Sequence, residues 1–223
     1  MCGKFTQLYS WQDIHAFSRF LDGVTVAGDA PVVATPMRPA SVMRLNEDGA
    51  REMAQMRWGF AGKDDPNPAR PKHMHARAET IDRLRTFAPA FAHARGILMV
   101  DTFNEGEELA NGKTKQWTIA PRDRQPLALA VICEPWRNGA DVLDTFVLVT
   151  VPANPLISAI TDRMPAILPR AAWATWLGED DAPPETVKAL LRTHEDGGAW
   201  TMVPQQPGRK PSRAKDDAQQ ELF

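Results

Sequence analysis

The sequence predicts an α+β fold: a mainly antiparallel, barrel-like β-sheet with flanking helices. Two observations predict it. Strand-like apolar runs at 97–103, 116–120, 127–133 and 145–151 follow one another without intervening helices, so neighbours pair as hairpins rather than through helical crossovers. Turn pairs such as Asn111-Gly112 and Asn138-Gly139 separate them, and these tolerate the positive φ of tight turns.

Taken in order, residues 11–21 place Ile14, Phe17 and Leu21 at helical spacing, predicting a short amphipathic helix. Residues 31–35 and 42–45 read as short strands. Asn46-Glu47-Asp48-Gly49 is a hairpin turn signal, and after it Ala54, Met56, Trp58 and Phe60 alternate with Gln55, Arg57 and Gly59 as a half-buried strand. Residues 63–72 hold three prolines and read as loop. A helix is expected over 80–91, with Ile81, Leu84 and Phe87 on one face, and two more over 170–177 and 185–194. One domain is expected over 1–207, with a polar, flexible tail at 208–223.

Composition narrows the function classes. The 223 residues suffice for one large domain, and 43% apolar with 24% charged residues excludes wholesale disorder. A formal charge of −2 carries no global signature of a DNA-coating protein, so any nucleic-acid site has to be a local patch. Two cysteines, Cys2 and Cys133, make no disulfide scaffold and fit a reducing cytoplasm. No apolar stretch approaches the ~18–20 residues that span a bilayer, and the first residues lack a signal peptide's pattern. A cytoplasmic monomer is expected. No glycine-rich phosphate loop or paired metal-ligand spacing is present, so no cofactor or metal is invoked.

The chemistry begins at Met1-Cys2-Gly3. Loss of Met1 unmasks a 1,2-aminothiol on Cys2, with an α-amine of pKa ~7.7–8.0 beside a thiol near ~8.5. Such a pair condenses with an aldehyde to a Schiff base, which the thiol closes to a five-membered thiazolidine. An incidental small residue after the start is the plain alternative. Cys133 lies in an apolar run and reads as a buried small hydrophobe.

Further along stand Trp58-Gly59, Ala76-Arg77-Ala78-Glu79-Thr80, Asp101 to Glu105, Thr150-Val151-Pro152-Ala153-Asn154, and Thr161-Asp162-Arg163-Met164-Pro165. Together with Met1-Cys2-Gly3-Lys4-Phe5 this set resembles the abasic-site processing family, also called SOS-response-associated peptidases, over about residues 1–178. The resemblance implies a DNA groove lined by these residues and a covalent link from Cys2 to the ring-opened sugar of an abasic site in single-stranded DNA. It also implies self-removal of Met1 and a lyase activity through the Schiff base.

Residue by residue, Cys2 matches the family nucleophile and Glu105 its catalytic glutamate, with Asn104 and Gly106 where the family has aromatics. A carboxylate there can shuttle protons; a solvated loop glutamate is the plain alternative. His75 stands where the family has asparagine, and Thr161 where it has the histidine before Asp-Arg-Met-Pro. His75 can donate a hydrogen bond and titrate near neutrality, whereas the Thr161 hydroxyl does not titrate. Lys4, Arg77 and Arg163 are the expected phosphate contacts and Trp58 an expected stacking face. Two other readings stay open: a non-reactive single-strand DNA-binding module, if the changes at His75 and Thr161 disable the chemistry, and an N-terminal cysteine amidohydrolase.

Overall fold

The computed structural model describes residues 3–7, 32–62, 65, 67–195 and 197–205. Cys2, the helix expected over 11–21 and the tail at 208–223 lie outside the described residues.

Five strands form a barrel-like ring. They are β3 (Pro39–Leu45), β4 (Arg51–Trp58), β6 (Arg95–Val100), β9 (Leu127–Asn138) and β10 (Asp141–Pro152). The pairings run β10-β4-β3-β6-β9, and β9 pairs back with β10. Every contact in this ring is antiparallel except β4 with β10, where Arg57 and Trp58 lie parallel to Thr145 and Phe146. Two short strands extend β10: β5 (His75–Arg77), parallel, and β11 (Arg163–Pro165), antiparallel.

The continuous apolar runs have a simple cause. Residues 127–133 of β9 and 145–151 of β10 are buried without a break. A strand covered on both faces needs no polar alternation. Hairpins close where glycine adopts positive φ: Gly49 (+77°) between β3 and β4, and Gly139 (+60°) between β9 and β10.

A second, open sheet has the order β12-β8-β7-β1-β2. It comprises β1 (Lys4–Gln7), β2 (Val32–Ala34), β7 (Thr102–Glu108), β8 (Thr114–Pro121) and β12 (Trp200–Pro204). The run expected over 97–103 is therefore two strands in two sheets. The chain crosses from ring to open sheet at Asp101, whose backbone N–H donates to the Thr6 carbonyl at 2.8 Å. Phe5 of β1 meets Trp58 of the ring at 5.1 Å between centroids, joining the sheets through their side chains.

The helices are shorter than their sequence patterns. The expected helix over 80–91 is corrected to a series of turns followed by α1 (Ala88–His93), which opens on a proline. Ile81 and Phe87 are buried, but Leu84 is 45% exposed, so the three do not share one buried stripe. Residues 170–172 form a 3₁₀ turn leading into α2 (Trp173–Leu177), which ends at Gly178 with φ +92°. The helix expected over 185–194 is α3 (Pro184–Ala189), followed by irregular chain.

Candidate active site

Glu105 is not a solvated loop residue. It sits within β7, wholly buried, with both carboxylate oxygens closed off from bulk solvent. Burying a carboxylate is costly, so such a position marks a constrained group rather than a decorative surface charge. Beside it, the buried Asn104 donates from Nδ2 to the Thr118 hydroxyl at 2.8 Å and to the Trp117 carbonyl at 3.2 Å, fixing the strand. On the other flank β7 pairs with β1, Lys4 opposite Asn104 and Phe5 opposite Phe103. Gly3 precedes Lys4 along its chain segment and Glu105 follows Asn104 along β7, one residue beyond the Lys4–Asn104 pair.

The end of β10 gathers a second group. His75 lies opposite Leu148 and Arg77 opposite Thr150, while on the strand's other side Arg163 lies opposite Pro152. Thr161 precedes Arg163 by two residues and is half-buried. The Ala153 N–H donates to the Asp162 carbonyl at 3.0 Å, folding this segment back on β10. A ring contact then ties the group to the open sheet: Trp58 meets His75 edge-on at 5.8 Å and Phe5 at 5.1 Å.

Two expected DNA contacts turn out to be structural. Trp58 is 0% exposed, and its indole Nε1 donates to the Met74 carbonyl at 2.8 Å. It offers no face to a base; it spaces β1 from β5. Arg163 is buried, and its fork grips both Glu79 oxygens, with Nη2 also donating to the Thr150 carbonyl at 2.7 Å. Its Nη groups join β11 to β10 and to the Glu79 turn. Hydrogen bonding from Arg163 holds the Glu79 carboxyl below the usual carboxylate range. Arg77, by contrast, is exposed and makes no ion pair among the described residues. Lys4 is half-buried on β1.

Sequence reasoning missed the roles of Glu79 and Asn154. Asn154 is wholly buried, accepts from the Ile157 N–H at 3.0 Å and donates from Nδ2 to the His194 carbonyl at 3.0 Å. Both residues stood inside the quoted motifs, but a motif does not say which of its polar groups hold the backbone. Cys133 is as expected: it is 2% exposed, and burial pushes its thiol up to about 12.

This arrangement can be set against known proteins. The SOS response associated peptidase (SRAP) sequence model matches residues 1–207. The chain belongs to the SRAP family. Among SRAP relatives, the abasic site processing protein YobE of Bacillus subtilis is 27% identical over 202 residues, covering 87% of this chain and 90% of that protein. YedK of Escherichia coli, with the same description, is 29% identical over 189 residues, covering 81% of each chain. The likewise described HMCES of Gallus gallus is 25% identical over 175 residues, 67% of this chain and 52% of the relative. Solved structures from Bordetella bronchiseptica (TM-score 0.75, 23% identity, 92% of this chain and 100% of that one) and Bacteroides thetaiotaomicron (TM-score 0.77, 18% identity, 92% of each) share the SRAP fold.

Proposed function

We propose that the protein processes abasic sites in single-stranded DNA by covalent attachment through Cys2, after removal of Met1. The observation that carries this is the buried Glu105 on β7 beside the strand that leads directly from Cys2. Lys4, two positions after Cys2 in the sequence, lies opposite Asn104, the residue before Glu105, across the β1–β7 ladder.

In the proposed reaction the Cys2 amine attacks the aldehyde carbon of the ring-opened sugar. Glu105 passes a proton to the departing hydroxyl of the carbinolamine, water leaves, and a Schiff base remains. The thiol then adds to the imine carbon; the S–C bond forms and the thiol's proton ends on nitrogen. One aldehyde and one aminothiol become one thiazolidine and one water. Elimination from the Schiff base instead would give strand cleavage, and attack by Cys2 on its own upstream peptide bond would give the autopeptidase step.

Other residues act by holding the strand. Arg77, exposed at the end of β10, suits phosphate oxygens, with Lys4 on the neighbouring sheet. Arg163 is a positioning residue that keeps β11, and hence Thr161, against β10. Thr161 offers a hydroxyl to the sugar, and His75, packed on Trp58, offers an imidazole N–H as a hydrogen-bond donor.

Wild-type protein mixed with an oligonucleotide carrying one abasic site is expected to give a heat-stable adduct by gel shift, with intact mass showing loss of Met1. Cys2→Ala is expected to abolish the adduct, because alanine lacks the ring-forming sulfur. An undiminished adduct in Cys2→Ala overturns the mechanism. Arg77→Ala is expected to weaken binding to any single strand and to flatten its salt dependence, since each phosphate contact releases counterions.

A further inference from the structure

With Trp58 buried, the stacking face expected from the sequence has to come from elsewhere, and the β7–β8 ladder supplies one. Trp117 lies directly opposite Glu105. Residues so opposed share one face of a sheet with Cβ atoms about 4.5–5.5 Å apart, so the indole borders the buried carboxylate. Unlike Trp58, it is only partly buried. Its orientation is set from two sides: Nε1 donates to Glu107 at 2.8 Å, and the Lys115 ammonium lies 4.1 Å from the ring centroid. Lys115 itself stands opposite Glu107, with a 3.9 Å ion pair, and is 42% exposed.

We infer that Trp117 is a stacking platform for the DNA base next to the abasic sugar, and that Lys115 covers its face until the strand arrives. This rests on the reading of Glu105 and Cys2 given above. A missing base leaves a gap in the strand's own stack, and the nearest neighbouring base loses a partner that an indole can replace. Base–aromatic stacking outweighs an exposed cation–π contact, so the exchange is favourable. Leaving the ring, the Lys115 ammonium is free to follow the adjoining phosphate. The indole hydrogen bond to Glu107 holds the ring still, which keeps the sugar one base-step from Glu105.

The test uses the full chain and an oligonucleotide with one abasic site. Trp117→Leu is expected to raise the half-saturating DNA concentration roughly five- to hundredfold. Trp117→Phe, which keeps a π-face, is expected to recover most of that loss. DNA-induced quenching of tryptophan emission should be smaller in Trp117→Phe than in wild type, a readout that does not need the leucine variant to fold. If wild type forms the adduct yet quenching is the same in both, or the half-saturating concentration does not move, the platform is overturned. If wild type neither binds single strands nor forms an adduct, the reading of Cys2 and Glu105 has failed instead.

Discussion

The ring and the open sheet are built from different kinds of strand. In the ring, β9 is apolar for seven residues at a stretch, β10 is buried from Thr145 to Val151 with two threonines as its polar members, and β6 is buried from Gly96 to Val100. In the open sheet the buried residues include Gln7, Asn104 and Glu105 alongside apolar ones. Gln7 spans the two, donating from Nε2 to the Met99 carbonyl of β6 at 2.8 Å. Apolar burial is non-directional and contributes stability wherever it occurs, while a buried polar group has to be held by partners and is tolerated where it does a job. The comparison separates a scaffold that sets stability from a sheet that sets reactivity, meeting where β10 ends.

The sharpest way to break this division is Glu105→Gln. The amide keeps the shape but cannot carry the proton, so single-turnover adduct formation is expected to fall by about 10²–10⁴-fold. Melting temperature should hold or rise, because a carboxylate no longer has to be buried. An unchanged rate would remove Glu105 from the chemistry and return it to the scaffold.

Leu148→Ala, deep in the ring, is the converse. Loss of a fully buried leucine is expected to cost about 2–5 kcal/mol in urea titrations. The adduct-forming rate per folded molecule should be unaffected. A rate loss beyond the loss of folded protein would mean that the ring tunes reactivity as well.

The smallest effect sharpens the boundary between the two regions. Because hydrogen bonding from Arg163 depresses the Glu79 pKa in the folded state, this contact stabilises the protein above the unfolded carboxylate value of about 4.3. That contribution is lost as pH falls through the lower folded value. Melting temperature measured from pH 6 downward should therefore drop less steeply in Glu79→Gln than in wild type. Identical slopes would show that the pair adds nothing to stability, as for many exposed ion pairs; the carboxylate is 45% exposed.

By itself the sequence determined the class of the fold, the strand runs of the ring, the turns at Gly49, Gly112 and Gly139, and the inert character of Cys133. Those features are local: hydrophobic periodicity and turn chemistry act over a few residues. Family motifs, also read along the chain, picked out Glu105, His75, Arg77, Thr161 and Arg163, and four of these do gather around the end of β10. Only the tertiary structure decided what each side chain is free to do. Trp58 and Trp117 are both tryptophans in strand-like runs, and hydrophobic periodicity does not tell them apart. The closure of one ring buries Trp58 between Phe5 and His75, while Trp117, on β8 between β7 and β12, stays partly open beside Glu105. Arg77 and Arg163 likewise part ways only in the fold: Arg163 is buried with its fork on Glu79 and the Thr150 carbonyl, while Arg77 is exposed. Burial and pairing depend on residues tens of positions away, and that is why periodicity could place these side chains on strands but not assign them to core, clamp or groove.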